Sequence, residues 1–233
     1  MDTVRVSLGE AAYRRLREDI ITCTLLPGQR VTEKELAASR ELGIAPVRQA
    51  LTRLAHEGLV RTIPRKGYQV APLSPKIVDD LFAVWRVVGT ELVRLGVQHA
   101  TPAQLAEIAR GFAEIDEATH EVDGRHVIRA ADETFRMLAE ATENTYLIAV
   151  SDRLSGDLAR VFTLVLGNDP SALTPDSTMD WVRDILDQRN ADAAAASTAR
   201  MIDRSREAIL QALTRWPSVM EAELSPIPTV SRA

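Results

Sequence analysis

Residues 46–60, "PVRQALTRLAHEGLV", place a proline, two arginines and a glutamine on one short predicted helix. Its apolar side chains recur with the spacing of a helix that buries one face. They are Val47, Ala50, Leu51 and Leu54. The same spacing leaves polar side chains together on the opposite face, and these are Arg48, Gln49, Thr52 and Arg53. Pro46 suits the first turn of this helix and Gly58 suits its end.

Two helices are predicted before this one and two short strands after it. Apolar residues over 8–21 have helical spacing, and the Pro-Gly pair at 27–28 stops that helix. Thr32 and Glu35 have the spacing of a capping box, so "EKELAAS" is predicted as the second helix. "LVRTI" and "YQVA" are predicted as β segments around the turn "PRKG". Three small helices and a basic β-hairpin in this order predict a winged helix-turn-helix over residues 1–71.

A domain boundary is predicted at "APLSP" (71–75), where two prolines and a serine interrupt helix and strand alike. Residues 72–75 are the predicted linker. Helical patterns then run over 76–100, 102–119, 125–142, 144–167, 176–190 and 192–215. Because short connections favour antiparallel neighbours, residues 76–216 are predicted to form an all-α bundle of about six helices. The tail, 217–233, carries two prolines and no apolar period and is predicted to be disordered. The expected fold class is mostly α.

Charge is divided unevenly along the 233 residues, which carry a net −5. Residues 1–71 hold 12 Lys/Arg against 8 Asp/Glu, a net +4, and the remainder holds 16 against 25, a net −9. A small basic module joined to a larger acidic one admits a polyanionic partner. The single cysteine, Cys23, excludes an intramolecular disulfide, and the chain shows neither a signal peptide nor an apolar run of membrane length. We expect a cytoplasmic protein that does not engage membranes.

The polar face of the 46–60 helix has the residue types that read double-stranded DNA. Arginine pairs bidentately with guanine in the major groove, and shorter polar side chains contact bases and phosphates there. The predicted DNA contacts are therefore Arg48, Gln49, Thr52 and Arg53 on the helix, Arg40 just before it, and Arg65 and Lys66 at the wing tip. Exposed arginines are also common on ordinary solvated helix faces, which is the alternative for each residue taken alone.

The segment "ELAASRELGIAPVRQALTRLAHEGLVRTIPRKGYQV" resembles the N-terminal domain of GntR-family bacterial transcription regulators. It matches the "PVR-x-AL-x-x-L-x-x-x-GLV" core and the "RKG" wing of that family. The resemblance implies that Arg48 contacts DNA and adds Arg40, Gln49, Arg65 and Gly67 as candidates. Many relatives have an arginine two residues before the proline, where this chain has Ile44. Either Arg40 replaces that arginine or the operator differs at this position.

The second domain resembles the FCD ligand-binding domain of the FadR-like branch, through its helix count, "ADETFRMLAEATEN" and a closing alanine-rich helix pair. In many members an aspartate, a histidine four residues later and two further histidines hold a divalent metal that helps to receive a small carboxylate. This chain keeps Asp132 but has Arg136, Val182 and Asp203 at the three histidine positions. Its own histidines share no metal-ligand spacing with Asp132, and they are His56, His99, His120 and His126. We expect no metal and no other cofactor.

Three alternatives remain for the effector site of this domain. Arg136 can supply the positive charge for a carboxylate effector, with Asp132 orienting it. The two can instead form an exposed ion pair of little consequence. A third alternative is an apolar, fatty-acid-like effector. Trp85 stands where relatives often have arginine, with Arg86 beside it, so Trp85 either lines the pocket or belongs to the core.

These observations predict a DNA-binding regulator that acts as a homodimer on a two-fold operator. A small-molecule effector in the helical domain is expected to shift the equilibrium between two arrangements of the DNA-binding heads. Release of a repressor is one outcome, and activation stays open. The alternatives are a regulator without an effector, an enzyme with an accessory winged helix, and a protein-interaction module. No catalytic constellation is found in the sequence, so an enzyme is not expected.

Overall fold

The computed structural model describes residues 7–121, 123–169, 172 and 189–215. The chain divides into two compact units, with the boundary between Ser74 and Pro75. Within the described residues there are eight helices and three strands. They are α1 (Leu8–Ile21), β1 (Arg30–Val31), α2 (Glu33–Ser39), α3 (Ile44–His56), β2 (Val60–Ile63), β3 (Gly67–Val70), α4 (Pro75–His99), α5 (Pro102–His120), α6 (Gly124–Ala141), α7 (Thr145–Asn168) and α8 (Ala191–Thr214).

Side-chain caps determine where the first two helices begin. Ser7 Oγ accepts a hydrogen bond from the backbone N–H of Glu10 at 3.1 Å, so α1 begins at Leu8. Before α2, Thr32 Oγ1 accepts from the N–H of Glu35 at 3.2 Å. Glu35 Oε2 accepts in return from the N–H of Thr32 at 2.9 Å. The predicted capping box is confirmed.

Helix α3 begins at Ile44, two residues before the predicted start at Pro46. Gly43 is the N-cap residue and makes no side-chain cap bond. Pro46 still lies in the first turn, where the backbone N–H groups have no partner inside the helix. The predicted apolar face is confirmed, because its four side chains are at most 1% exposed: Val47, Ala50, Leu51 and Leu54.

The wing is a three-stranded antiparallel sheet in the order β1-β3-β2, instead of the predicted hairpin alone. β2 and β3 pair from Val60↔Val70 to Ile63↔Gly67, and β1 adds Arg30 to the other side of β3 opposite Gln69. β1 has only two residues, which is too short for an alternating pattern to be visible in the sequence. The extra strand connects the wing to the segment just before α2.

The core of the N-terminal unit lies between α1, α3 and the sheet. Its central side chains are almost fully buried: Leu16, Ile20, Leu36, Val47, Leu51, Leu54, Leu59 and Val70. Since α1 packs along α3, the buried face of α3 is fixed and its opposite face is available to solvent. The mostly-α winged helix-turn-helix predicted from the sequence is confirmed for this unit.

The helical unit begins at Pro75, one residue before the predicted 76, and α4 to α8 agree with five of the six predicted helices to within one residue at each end. The sixth predicted helix, over 176–190, lies almost entirely outside the described residues, as does the predicted tail over 217–233. Within the described part, α4 packs along α8, and α5 packs along α6. The interior is apolar around Leu92, Ile108 and Leu138, each without exposed surface.

Candidate nucleic-acid interface

The exposed face of α3 carries the four polar side chains expected there, but its two edges have different partners. Arg48, Gln49, Thr52 and Arg53 are all exposed. Arg48 lies on the edge next to α2 and the wing, while Gln49 and Arg53 lie on the edge next to α1. Thr52 donates to the carbonyl oxygen of Arg48 at 3.0 Å, one turn back on the same helix.

On the first edge, Arg48 forms a bidentate pair with Glu33 of α2. Arg48 Nε donates to both carboxylate oxygens of Glu33 at 3.0 Å, and Nη2 donates to Oε2 at 2.8 Å. Tyr68 of β3 approaches the same carboxylate, with its hydroxyl 3.5 Å from Oε1. The hydrogen bonds from Arg48 lower the pKa of Glu33, and Glu33 raises the pKa of Arg48 in return. The pair joins α2, α3 and the wing in one exposed cluster.

On the second edge, Arg53 is held by three side chains. Its guanidinium carbon lies 3.5 Å from the centroid of the Tyr13 ring. Nη1 donates to Glu10 at 3.0 Å and Nε donates to Glu57 at 3.3 Å. Tyr13 donates to Glu57 at 2.9 Å, and burial, followed by that hydrogen bond, raises the pKa of Tyr13. Arg53 therefore connects α1 to α3.

Gln49 lies against α1, because a β-carbon on Gly9 would collide with Oε1 of Gln49. Gln49 and Arg53 are one helical turn apart and both face α1. The sequence placed them in one group with Arg48 and Thr52. In the structure they form the α1 side of that group.

Arg40 makes an internal contact. It is the C-cap residue of α2, and its Nε donates to Asp19 of α1 at 2.6 Å. The side chains of Arg40 and Asp19 are 18% and 5% exposed. Arg40 is therefore held within the N-terminal unit, and its contact with DNA stays a prediction.

The wing tip presents Arg65 and Lys66 to solvent, as expected. The N–H of Lys66 donates to the carbonyl of Ile63 at 2.9 Å, closing a tight turn in which Arg65 has φ 62°. This left-handed conformation favours glycine, so an arginine here is held at some conformational cost. Gly67 has φ 87°, and a β-carbon on it would lie 2.6 Å from the carbonyl oxygen of Val31. The close approach that requires Gly67 is thus to β1 of its own sheet.

The first turn of α3 is apolar and exposed. Ile44, its first residue, is 46% exposed, and Ala45 is also exposed. Ile44 and Arg48 are four residues apart and lie on the same side of the helix. A DNA surface built on this helix would therefore present an aliphatic side chain one turn before its first arginine.

Two carboxylates of this surface were missed in the sequence, Glu33 and Glu10. Each is near the beginning of a helix, where an acidic residue is explained by the helix dipole alone. Their partners, Arg48 and Arg53, are 15 and 43 residues away, so no local spacing connects them. Lys34, exposed in the first turn of α2, adds a positive charge that is not among the predicted contacts.

In the helical unit, the residues at the metal-ligand positions do not suit a divalent metal. Arg136 is a cation and donates to Glu140 at 2.8 Å, one turn further along α6. Asp203 accepts from Arg86 at 2.8 and 3.0 Å, and Val182 lies outside the described residues. Across the part of the chain that the structure describes, no group of three or more His, Cys, Asp or Glu side chains is arranged to hold a metal ion.

The candidate effector residues of α4 and α6 are mostly exposed. Asp132 and Arg136 are both exposed, and Arg136 donates to Glu140. Arg86 and Asp203 form an ion pair between α4 and α8, with about half of each side chain exposed. These charges lie on the surface of the described bundle.

Trp85 belongs to the core, the second of its two expected roles. It is 6% exposed and meets Phe135 edge to face, with ring centroids 5.0 Å apart. Phe135 in turn meets Phe112 at 6.2 Å. The three rings join α4, α6 and α5.

Several polar groups that are not among the predicted site residues lie inside the helical unit. Arg160 of α7 is 1% exposed and donates to Asp157 at 3.1 Å. The hydroxyls of Thr90 on α4 and Thr198 on α8 are buried without a hydrogen-bond partner among the described residues. Thr90 lies one turn after Arg86 on α4, and Thr198 lies slightly more than one turn before Asp203 on α8. Because Arg86 pairs with Asp203, the two threonines lie at the same level of the bundle.

One face of α4 exposes apolar side chains at helical spacing. Ile77 is 40% exposed, Val84 49% and Val87 70%. These positions, i, i+7 and i+10, share one side of the helix. None of the described helices combines the length and apolarity that crossing a membrane requires.

Family models match most of the chain. The model of bacterial regulatory proteins of the gntR family matches residues 8–70, and the FCD domain model matches residues 80–204. The two matches coincide with the winged unit and with most of the helical unit.

Known relatives of the chain are transcriptional regulators. It is 30% identical to the Nta operon transcriptional regulator of Aminobacter aminovorans over 55% of this chain and 62% of that protein. It is 26% identical to the HTH-type transcriptional regulator YdhC of Bacillus subtilis over 58% of this chain and 61% of that protein. The chain thus spans about three fifths of the length of these curated relatives.

Solved structures share the fold. McbR/YncC of E. coli superposes with a TM-score of 0.72 at 19% identity, covering 88% of this chain and 98% of that one. A GntR protein of Rhodococcus sp. RHA1 superposes with a TM-score of 0.65 at 21% identity, covering 89% and 98%.

Proposed function

The chain belongs to the GntR family of bacterial regulatory proteins and carries an FCD domain, and we propose that α3 and the wing bind a DNA operator. The observation that carries this proposal is the exposed surface shared by α3 and the wing tip. It presents Arg48 and Thr52 on the helix and Arg65 and Lys66 on the turn. A helix of this kind enters the major groove, and a basic wing tip reaches the backbone or the minor groove beside it.

The geometry suggests different roles for the predicted contacts. We assign base contacts to Arg48 and Thr52, because they lie on the edge of α3 that faces away from α1. Phosphate contacts are assigned to Arg65 and Lys66. The strained backbone of Arg65 supports this role, since glycine would fit the turn more easily and would lack the charge.

Four other predicted DNA contacts also have roles within the protein: Gln49, Arg53, Arg40 and Gly67. Gln49 and Arg53 contact α1, and we propose that they reach DNA only from that edge of α3. Arg40 fixes the turn between α2 and α3 against Asp19. Gly67 allows β3 to approach β1.

The test is a selection of genomic DNA fragments bound by the purified protein at near-physiological salt. The wild type is expected to enrich a palindromic motif that Arg48→Ala loses. Arg110→Ala is the matched control, because Arg110 also pairs with a carboxylate and is 70% exposed, compared with 65% for Arg48, and it lies in the helical unit. Motif-free binding that is unchanged in Arg48→Ala would contradict the proposed interface.

Palindromic operators are read by two-fold dimers, and we propose that the chain is a homodimer. The exposed apolar face of α4, with Val84 and Val87, supports an isologous contact between two copies. Two linked winged helices would then provide the specificity that one small domain lacks.

We also propose that the helical domain binds a small anionic effector, such as a carboxylate, in its interior. Three buried polar groups support this: the guanidinium of Arg160 and the hydroxyls of Thr90 and Thr198. Arginine receives carboxylates bidentately, and buried hydroxyls without partners are costly unless a ligand or water satisfies them. Because the residues at the metal-ligand positions do not suit a metal ion, Arg160 supplies the positive charge for an anionic effector in this proposal.

Thr198→Val tests the effector site. The valine removes an unpartnered hydroxyl, so the free protein should gain about 1 kcal/mol of stability. Binding of a panel of small carboxylates, followed by calorimetric titration, should weaken in the same variant. Thr163→Val, at a half-buried position on α7, is the control. No binding by any carboxylate, with operator binding intact, would favour the regulator without an effector.

A further inference from the structure

The DNA-binding surface contains a negative charge at its centre. Glu33 lies in the first turn of α2 and pairs with Arg48. Three arginines of this unit pair with a carboxylate of another helix: Arg40, Arg48 and Arg53. The side chain of Arg48 is the most exposed of the three. A carboxylate on a surface that must approach phosphates opposes binding, because like charges repel at short range. Its position therefore calls for a functional explanation.

Glu33 occupies the atoms of Arg48 that would read a base. Nε and Nη2 of Arg48 donate to the two carboxylate oxygens at 2.8–3.0 Å. Guanine presents two acceptors, O6 and N7, to the same pair of guanidinium donors. The carboxylate thus imitates the acceptor pattern of a guanine edge, and Arg48 must leave Glu33 before Nε and Nη2 together can contact a base.

We propose that Glu33 is a specificity-determining residue that occupies Arg48 in the free protein and releases it preferentially to a guanine edge. This inference rests on the proposed operator binding and names how that site discriminates among DNA sequences.

The discrimination follows from charge. A phosphate that takes Arg48 brings a second negative charge next to Glu33, whose side chain is 21% exposed and remains at the interface. A guanine edge accepts the same two hydrogen bonds and is neutral, so it adds no such repulsion. The Glu33–Arg48 pair is also close to neutral at longer range, which weakens attraction to DNA of any sequence. Glu33 therefore reduces binding to phosphates more than binding to the correct base.

Structural connections keep Glu33 at this place. It precedes the capping-box residue Glu35 by two positions at the start of α2. Tyr68 of the wing approaches its Oε1 at 3.5 Å, and burial, followed by the charge of Glu33, raises the pKa of Tyr68. The carboxylate consequently stays between the two elements expected to touch DNA.

The test measures the affinity of the full chain for a short random-sequence duplex over a range of salt concentrations, by fluorescence anisotropy. Glu33→Gln should bind this duplex up to about fivefold more tightly than the wild type, as expected for release of one exposed ion pair. The slope of log affinity against log salt should steepen by about 0.9, since one further phosphate is neutralised. Affinity for the motif obtained by genomic selection should rise less, so the specificity ratio falls.

Two controls separate this role from general charge and folding effects. Glu107→Gln removes the same charge and frees Arg110 on α5, in the helical unit, and should leave both affinities unchanged. Glu33→Asp keeps the charge but shortens its reach, and should give an intermediate result. In an Arg48→Ala background, Glu33→Gln should no longer lower the specificity ratio, because the discrimination depends on Arg48, although random duplex can still bind more tightly through the lost repulsion.

The outcomes distinguish a failure of the role of Glu33 from a failure of the proposed operator binding. Equal affinities of wild type and Glu33→Gln for random duplex, with a motif still selected by the wild type, would overturn the role of Glu33 alone. A fall in the specificity ratio on Glu33→Gln that persists without Arg48 would overturn it as well. A wild type that binds no DNA at all would refute the proposed function together with this inference.

Discussion

The contact between Arg40 and Asp19 yields a prediction that separates a structural arginine from a DNA-contacting one. The Asp19 side chain is 5% exposed and the Arg40 side chain 18%. Breaking a fully buried ion pair costs about 3–5 kcal/mol, whereas exposed pairs contribute about 0.2–1 kcal/mol. Because this pair lies between those limits, we expect Asp19→Ala and Arg40→Ala each to destabilise the N-terminal unit by about 2 kcal/mol.

Hydrogen exchange read by mass spectrometry suits this measurement, because it resolves the two units of the full chain. Residues 8–70 contain no tryptophan, so peptides from this segment report its stability more directly than tryptophan fluorescence would. A loss of about 2 kcal/mol should speed exchange through global opening in peptides from 8–70 by about 30-fold, at a factor of ten per 1.4 kcal/mol. Peptides from the helical unit should be unchanged.

The double variant Asp19→Ala/Arg40→Ala provides the decisive comparison. If the two side chains stabilise the fold through each other, the double variant should lose about as much stability as either single one. Arg15→Ala is the control, since Arg15 lies 3.7 Å from the same carboxylate but is 59% exposed, and it should cost less than about 0.5 kcal/mol. Weaker DNA binding by Arg40→Ala with unchanged exchange would refute the structural role and restore Arg40 as a DNA contact.

Further predictions concern the wing, the recognition helix and the dimer. Gly67→Ala should destabilise the winged unit by about 1–3 kcal/mol, because residue 67 has a left-handed backbone and the new β-carbon would collide with Val31. Unchanged hydrogen exchange in the wing would contradict this prediction. Arg65→Gly should leave stability within about 1 kcal/mol but reduce the salt dependence of DNA binding by a slope of about 1, and an unchanged slope would exclude a phosphate contact. Ile44→Arg should change the selected motif at one position in each half-site, as genomic selection would show, while an identical motif would place Ile44 outside the interface. Val87→Asp should shift sedimentation towards the monomer at micromolar concentration, and an unshifted dimer would exclude this face of α4.

The sequence predicts best what depends on local periodicity. The buried face of α3 follows from Val47, Ala50, Leu51 and Leu54, and the start of α2 follows from the spacing of Thr32 and Glu35. Both features depend on short segments of sequence, so they can be predicted without knowing how the elements pack. The two residues of β1 are too few to show a period, and their pairing depends on β3, which is distant in sequence.

The partners of charged side chains are much harder to predict, because they depend on how the elements pack. Arg40 and Asp19 are 21 residues apart, and nothing in either segment points to the other. Arg160 was more accessible to prediction. It lies four residues after Gly156 and four before Leu164 on α7, and both of these are buried, so helical spacing places Arg160 on the side of an apolar position.

Three arginines of the winged unit, each paired with a carboxylate from another helix, differ in the extent to which their charge remains available to DNA. Arg40 is 18% exposed, Arg53 is 52% exposed and also rests on the Tyr13 ring, and Arg48 is 65% exposed and paired with Glu33. Where a guanidinium gives up internal partners to bind DNA, the loss of those partners opposes binding most where burial is greatest. Sensitivity of operator affinity to alanine substitution should therefore follow the order Arg48, Arg53, Arg40, and stability should follow the reverse order. An arginine that breaks both orders would show that proximity to DNA, and not internal pairing, decides which of them reads the operator.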